Sequence, residues 1–108
     1  MARIDLLQGT LDLLVLRVLA RGEMHGWGIA DRLKQLSHDA LQLGEGSLYT
    51  ALYRMEDKGW IKAEWAQSEN NRKAKYYSLT MSGRKQLDEE QKDWERISAV
   101  IAGILRDA

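Results

Sequence analysis

A short segment near the middle of the chain carries side chains that could recognise a polar partner. Residues 44–61 read GEGSLYTALYRMEDKGWI and place hydroxyl groups, tyrosines and an arginine on a helical pattern. In a helical projection with Leu48 as the origin, three further apolar side chains fall within about 60° of it. The arc predicted to face a core consists of Leu48, Ala51, Leu52 and Met55. Away from it lie Ser47, Thr50, Tyr53, Arg54 and Asp57, with Tyr49 between the two faces.

The polar face of this predicted helix has the chemistry of a DNA-reading surface. Serine, threonine and arginine supply hydrogen-bond donors to bases and phosphates in the major groove. Gly44 and Gly46 leave the helix start open, so that backbone N–H groups and the helix dipole could approach a phosphate. A plainer alternative is a solvated face, since many surface helices share this composition. From the helix alone, both interpretations stay open.

A second cationic feature follows the helix in the chain. Residues 60–65 and 75–80 are short, rich in aromatic or branched side chains, and predict two strands joined by the polar tip 67–73. Arg72, Lys73 and Lys75 form a cluster with no acidic residue between positions 70 and 75. This hairpin could reach the DNA backbone or the minor groove, although a solvated hairpin is the alternative.

The remaining pattern supplies the helices that would position these groups. A capping-box variant at Asp5 and the leucine and valine spacing after it predict a first helix that ends near residues 21–22. Ile29, Leu33 and Leu36 predict a second helix that starts at Gly26. The third helix spans about residues 46–58, and Gly59 is placed to end it in a left-handed conformation.

The last predicted helix runs over about residues 81–106, with Thr80 as its cap. Its apolar side chains recur along one stripe that so small a domain is not expected to bury. Two-fold pairing of this helix, completed by the first helix, would give a homodimer that reads a pseudo-palindromic operator. The predicted interface residues are Leu87, Trp94, Ile97, Ile101, Ile104 and Leu105.

These elements together predict a mainly α fold with a small β-hairpin. Three helices, a hairpin and a final helix follow the order of a winged helix-turn-helix DNA-binding domain over residues 1–80, with a C-terminal dimerisation helix over 81–108. The 108 residues suffice for one core. No apolar run approaches the roughly 20 residues that span a bilayer, and no signal peptide is evident, so we expect a cytoplasmic protein with no membrane partner.

Composition excludes several other kinds of chemistry. Sixteen basic and sixteen acidic residues give a net charge of zero, so a DNA partner would need a local cationic surface. The absence of cysteine removes thiolate catalysis and cysteine-ligated zinc. His25 and His38 stand at opposite ends of a helix and do not fit one metal site, while Asp88, Glu89 and Glu90 are expected to form a solvated face. We therefore expect no enzyme, metal or cofactor.

The chain resembles the PadR family of bacterial transcriptional regulators, in its short form with one C-terminal helix. The resemblance is carried by an ordered set of motifs: residues 7–11 (LQGTL), 25–27 (HGW), 46–49 (GSLY), 59–61 (GWI) and 75–80 (KYYSLT) before Gly83. The sequence departs from the family pattern at Trp27, where tyrosine is typical, and at Thr50, where proline is typical. Compared with proline, Thr50 adds a backbone N–H and a hydroxyl near the groove.

The resemblance implies a DNA-binding regulator of transcription, with positions 47–49 and their neighbours at the start of the recognition helix and the cations of the cluster on the wing. The protein is expected to be a repressor that a small ligand releases from DNA. In some relatives a tryptophan near the position of Trp94 lines a dimer cavity and stacks on flat aromatic effectors. The plainer alternative, which the residues alone favour, is that Trp94 is an ordinary interface anchor. An alternative of another class is a winged-helix protein-interaction module without DNA binding.

Overall fold

Three helices occupy the first part of the chain, as the apolar spacing predicts. The computed structural model describes residues 8–108, with α1 at Gln8–Leu19, α2 at Gly26–Leu36 and α3 at Glu45–Asp57. The capping box predicted at Asp5 lies outside the described residues. The end of α3 is as predicted, because Gly59 adopts a positive φ of 77° directly after the capping residue Lys58.

A small antiparallel sheet follows the helices and has one strand more than the sequence predicts. Its strands are β1 at Met24–His25, β2 at Ile61–Gln67 and β3 at Lys73–Leu79, in the spatial order β1-β3-β2. The two long strands pair from Ile61 opposite Leu79 to Gln67 opposite Lys73, so each extends further toward the tip than predicted. The additional strand β1 has only two residues, too few to produce a visible alternation of side chains.

The core lies where the three helices meet the sheet and the start of the last helix. The apolar arc of α3 is buried, as predicted, and packs with side chains of α1 and α2. Ile29 and Leu33 of α2 are buried, whereas Leu36, the third residue of the same apolar spacing, is exposed because α2 ends there and Ser37 caps it. The largest fully buried side chains are Leu16, Leu19, Ile29, Leu52, Met55, Ile61 and Val15.

The last helix, α4, spans Met81–Asp107 and is capped by Thr80, as predicted. The Thr80 hydroxyl accepts a hydrogen bond from the Gly83 backbone N–H at 3.0 Å. Within α4 only Gly83 and Leu87 are buried, so the helix joins the core through its first two turns and then extends away from it. The result is a winged helix-turn-helix fold with an added C-terminal helix, and the predicted fold class is confirmed.

Candidate nucleic-acid interface

Helix α3 presents a polar face on the side opposite its buried arc. Leu48, Ala51, Leu52 and Met55 are each at most 2% exposed, so the helix is held rigidly against the core. On the other side Ser47, Thr50 and Tyr53 are exposed, and the Tyr53 side chain reaches 71%. Among residues 8–108 no side-chain hydrogen bond caps the start of the helix at Gly44, so the backbone N–H groups of its first turn could approach an anion.

Arg54 departs from its predicted position on the groove-facing side. Its guanidinium donates a hydrogen bond to the carboxylate of Asp12 in α1, and the Arg54 side chain is only 23% exposed. Asp12 is buried, so the pair joins α3 to α1 inside the domain rather than at the surface. In this arrangement Arg54 fixes the helix that carries the exposed hydroxyls, and its guanidinium is directed away from them.

The environment of Asp12 explains why this pair is structurally sensitive. Burial raises the pKa of the Asp12 carboxyl, and the opposing effects of the Arg54 charge, its hydrogen bond and the Lys58 charge only partly offset that rise. The Arg54 Nε atom is also buried and has no hydrogen-bond partner among the described residues. Removing either member would leave the other buried without its counter-ion.

Tyr49 lies between the core and the surface, as predicted, and packs against the start of α2. A Cβ atom placed on Gly26 would clash with the Tyr49 hydroxyl oxygen, so glycine permits this close approach. His25 caps α2 because its Nδ1 accepts a hydrogen bond from the Gly28 N–H at 3.0 Å. Its ring stacks on Trp27 with 3.5 Å between centroids, which fixes the half-exposed indole at this edge.

The hairpin β2–β3, with its tip at residues 68–72, forms the wing. Asn71 at the tip has a positive φ of 60°, in agreement with the predicted tight turn. Arg72 and Lys73 are exposed there. Lys75 lies closer to the core, where its Nζ is 3.4 Å from a Glu56 carboxylate oxygen and 5.6 Å from the Tyr53 ring centroid. The predicted cationic cluster therefore divides into two exposed cations and one that is already paired.

A cleft of about 350 Å³ separates α3 from the wing. Two of its wall residues, Trp27 and Trp65, were not among the site residues predicted from the sequence. Trp65 is 68% exposed on β2, and the only signal for it in the sequence is an aromatic residue near the outer end of a strand. We call this feature the aromatic cleft, and its walls are Trp27, Tyr53, Trp65, Lys73 and Lys75.

Tyr77 lies at the base of the same cleft. It is buried, and burial raises the pKa of its hydroxyl, with a further rise from the Glu56 carboxylate. The hydroxyl therefore remains protonated at neutral pH and contributes no negative charge beside Lys75.

The apolar side chains of α4 fall into two groups. Leu87, predicted to lie at a dimer interface, is instead 5% exposed and packs into the core of its own domain, because it lies in the part of α4 that contacts α1 and β3. The other predicted residues are between 50% and 77% exposed, and Val100 joins them at 56%. We call this group the exposed stripe: Trp94, Ile97, Val100, Ile101, Ile104 and Leu105.

A shallow groove of about 300 Å³ lies between α1 and the exposed stripe. Thr10 and Leu13 line one side, with Trp94 and Ile97 on the other. Glu90 also lines it and departs from the solvated face predicted for residues 88–90, because it is partly buried against α1.

Only one oxygen of the partly buried Glu90 carboxylate has a hydrogen-bond partner among the described residues. The Gln86 amide donates to Oε1 at 3.0 Å, while Oε2 is buried without a partner among the described residues. Burial raises the pKa of the Glu90 carboxyl; the Gln86 hydrogen bond lowers it, and the Asp12 carboxylate adds to the rise.

Across residues 8–108 there is no cluster of three or more histidine, cysteine or carboxylate side chains that could hold a metal ion. His25 caps a helix and stacks on an aromatic ring, which agrees with a packing role. Within the same residues, no helix combines the length and the apolar character needed to cross a membrane.

Comparisons with known proteins agree with this geometry. The Transcriptional regulator PadR-like family matches the chain over residues 15–89. A protein of Lysinibacillus sphaericus is 30% identical over 101 residues, which cover 94% of this chain and 93% of that protein.

Two solved structures have the same fold. A transcriptional regulator from Clostridium thermocellum aligns with a TM-score of 0.82 at 27% identity, covering 89% of this chain and 93% of the other. A PadR family transcription regulator from Clostridium difficile aligns with a TM-score of 0.75 at 34% identity, covering 88% and 97%.

Proposed function

This chain belongs to the PadR-like family of transcriptional regulators, and from that premise we propose that it is a homodimeric repressor whose release from DNA is controlled by a small aromatic effector. The main support for DNA binding is that α3 is packed firmly against the core. Its apolar arc is buried while Ser47, Thr50 and Tyr53 project into solvent beside the wing. We therefore call α3 the recognition helix.

In this proposal the recognition helix enters the major groove and the wing contacts the backbone. Ser47 and Thr50 present hydroxyl groups to base edges, and Tyr53 and Tyr49 reach bases or phosphates at the margin of the groove. Arg72 and Lys73 neutralise phosphates from the wing tip, because both are exposed and lie beyond the packed part of the hairpin. Lys75 is a weaker candidate, since Glu56 already pairs with it.

Dimerisation would proceed through the exposed stripe of α4. Six large apolar side chains at least half exposed on one helix form a surface that monomers rarely leave in water. A second copy of α4 and the neighbouring face of α1 would cover it, since the groove between α1 and α4 continues the same surface. Each dimer would then carry two recognition helices related by a two-fold axis, which suits a pseudo-palindromic operator.

The groove beside Trp94 is the proposed effector site. Trp94 offers a rigid π-face that is 51% exposed, and a second copy of α4 would close the open side of the groove. The carboxyls of Glu90 and Asp93 also line it, which favours a neutral or cationic aromatic molecule over an anionic one. Binding there would shift the two α4 helices relative to each other and change the separation of the recognition helices.

An electrophoretic mobility shift with duplex DNA from upstream of the chain's own gene tests this function. Binding that survives excess non-specific competitor and weakens as salt rises supports the regulator. A protein that shifts neither this DNA nor any other duplex at low salt would instead favour a winged-helix module that binds another protein.

A further inference from the structure

Trp65 is the least covered tryptophan of the described residues. Its side chain is 68% exposed on β2, whereas Trp27 is 49% and Trp94 51% exposed. An indole left in water forgoes a favourable burial energy that a partner could recover. The exposed stripe of α4 does not provide one, because Trp65 lies in the wing.

The position of Trp65 follows from the register of the hairpin. Side chains alternate along a strand, so Trp65 shares a face of β2 with Ile61 and Ala63, which pack on the core. Trp65 is the next residue of that series and lies beyond the end of the core. Directly opposite it in the register is Lys75.

The aromatic cleft places Trp65 across from the recognition helix. Tyr53 stands on the α3 side, and Trp27 closes the wall from α2, where the His25 ring holds it. Lys73 and Lys75 line the same cleft, and none of the described residues that line it is acidic. A polyanion whose backbone carries apolar sugar faces between its charges fits this combination of cations and aromatic side chains.

We propose that Trp65 holds one strand of the duplex backbone in the aromatic cleft, with its indole face against a deoxyribose and its Nε1–H directed to a phosphate oxygen. The inference rests on the proposed DNA-binding function and adds a contact to it. A DNA strand that contacts both the recognition helix and the wing tip must cross the cleft between them. The indole is uncharged, so this contact adds affinity for any duplex sequence without releasing counterions.

The test compares wild type with Trp65→Ala in fluorescence anisotropy titrations, using a labelled duplex of arbitrary sequence and about 30 base pairs. We expect Trp65→Ala to raise Kd by at least about fivefold at every salt concentration. The slope of log Kd against log salt concentration should be unchanged, because no cation has been removed. Trp65→Phe, which keeps an aromatic face, should recover most of the affinity.

Two controls separate a lost contact from a damaged fold. Met81→Ala removes another exposed apolar side chain, outside the cleft, and should leave Kd unchanged. Thermal unfolding should be the same for all variants, since Trp65 is mostly exposed.

Equal Kd values for wild type and Trp65→Ala would overturn the inference while leaving DNA binding intact. A lowered salt slope would also overturn it, by assigning the effect to displacement of a cleft lysine, Lys73 or Lys75. If wild type binds no duplex even at low salt, the proposed function fails and this contact with it.

Discussion

The guanidinium of Arg54 pairs with the buried carboxylate of Asp12, so the recognition helix is tied to α1 by charge as well as by packing. These residues are 42 positions apart in the chain. We predict that Arg54→Met destabilises the protein by roughly 2–4 kcal/mol, because it leaves a buried carboxylate without its partner. Chemical denaturation at fixed protein concentration measures this change.

The double variant Asp12→Leu/Arg54→Met serves as the control for that measurement. With both charges gone, no buried group is left unpaired, and most of the lost stability should return. The stability lost by the double variant is compared with the losses in Asp12→Leu and Arg54→Met alone. If it equals their sum, the two residues act independently and the pair does not tie the helices together.

The partly buried carboxyl of Glu90 should make stability depend on pH in a defined direction. Its folded-state pKa is raised, so between the unfolded value near 4.5 and the folded value the native state binds more protons than the unfolded state. This group therefore lowers the free energy of unfolding as pH rises through that window. Glu90→Gln cannot ionise, and its stability relative to wild type should increase from about pH 4 to pH 7.

Taking the difference in the free energy of unfolding between Glu90→Gln and wild type removes the pH dependence that comes from the carboxyls common to both proteins. Glu89→Gln, which alters an exposed neighbour on α4, is the matched control and should show little pH dependence in its difference from wild type. A Glu90→Gln difference that is flat, or that falls with pH, would contradict the raised pKa.

The cations of the wing should differ in their effect on DNA binding. Arg72→Ala and Lys73→Ala should each weaken binding to all duplexes similarly and lower the salt slope by about one. Lys75→Ala should change the slope less, because Glu56 already neutralises that charge. Lys92→Ala on α4 is the control cation, and an equal slope change for Lys92 and Arg72 would count against the wing assignment.

The exposed stripe should be necessary for dimerisation. Ile101→Asp places a charge in the middle of the stripe and should give a monomer in sedimentation experiments at micromolar concentration, where we expect wild type to sediment as a dimer. Ala99→Asp introduces the same charge about 200° around the helix from Ile101 and should remain dimeric. Wild type that sediments as a monomer would remove the proposed interface altogether.

The effector proposal predicts a specific change in fluorescence. A planar aromatic cation should quench the tryptophan fluorescence of wild type. The quenching should be much weaker in Trp94→Leu, because Trp27, Trp60 and Trp65 lie outside the groove. A phenolic acid should bind more weakly at neutral pH, since two carboxyls line the site. Equal quenching in wild type and Trp94→Leu would assign Trp94 to the dimer interface alone.

Local periodicity was sufficient to predict the features that lie within one element. The buried arc of α3, the left-handed Gly59 and the Thr80 cap depend on neighbouring residues, and the structure agrees with each. The predicted strands were correct in place but short, because their outer residues are polar and resemble a turn. The two-residue strand β1 depends on its pairing with β3, which no local pattern reveals.

Three residues that the sequence misplaced or left out of a site depend on partners distant in the chain. Arg54 lies at the margin of the polar face of α3, and only the position of Asp12 on α1 decides that its charge turns inward. Leu87 belongs to the same helical stripe as Ile101, but the first turns of α4 pack on the core and the later ones do not. Trp65 becomes part of a cleft only because the register of the wing brings it opposite Lys75.

Selection of binding sites from a random duplex library tests the central claim most directly, because it requires neither a known operator nor a known effector. If the protein is a dimeric DNA-binding regulator, the enriched sequences should contain two inverted half-sites separated by about one helical turn, or a multiple of it. Ile101→Asp should fail to enrich the same palindrome. Recovery of no common sequence, or of a single half-site without two-fold symmetry, would contradict the account.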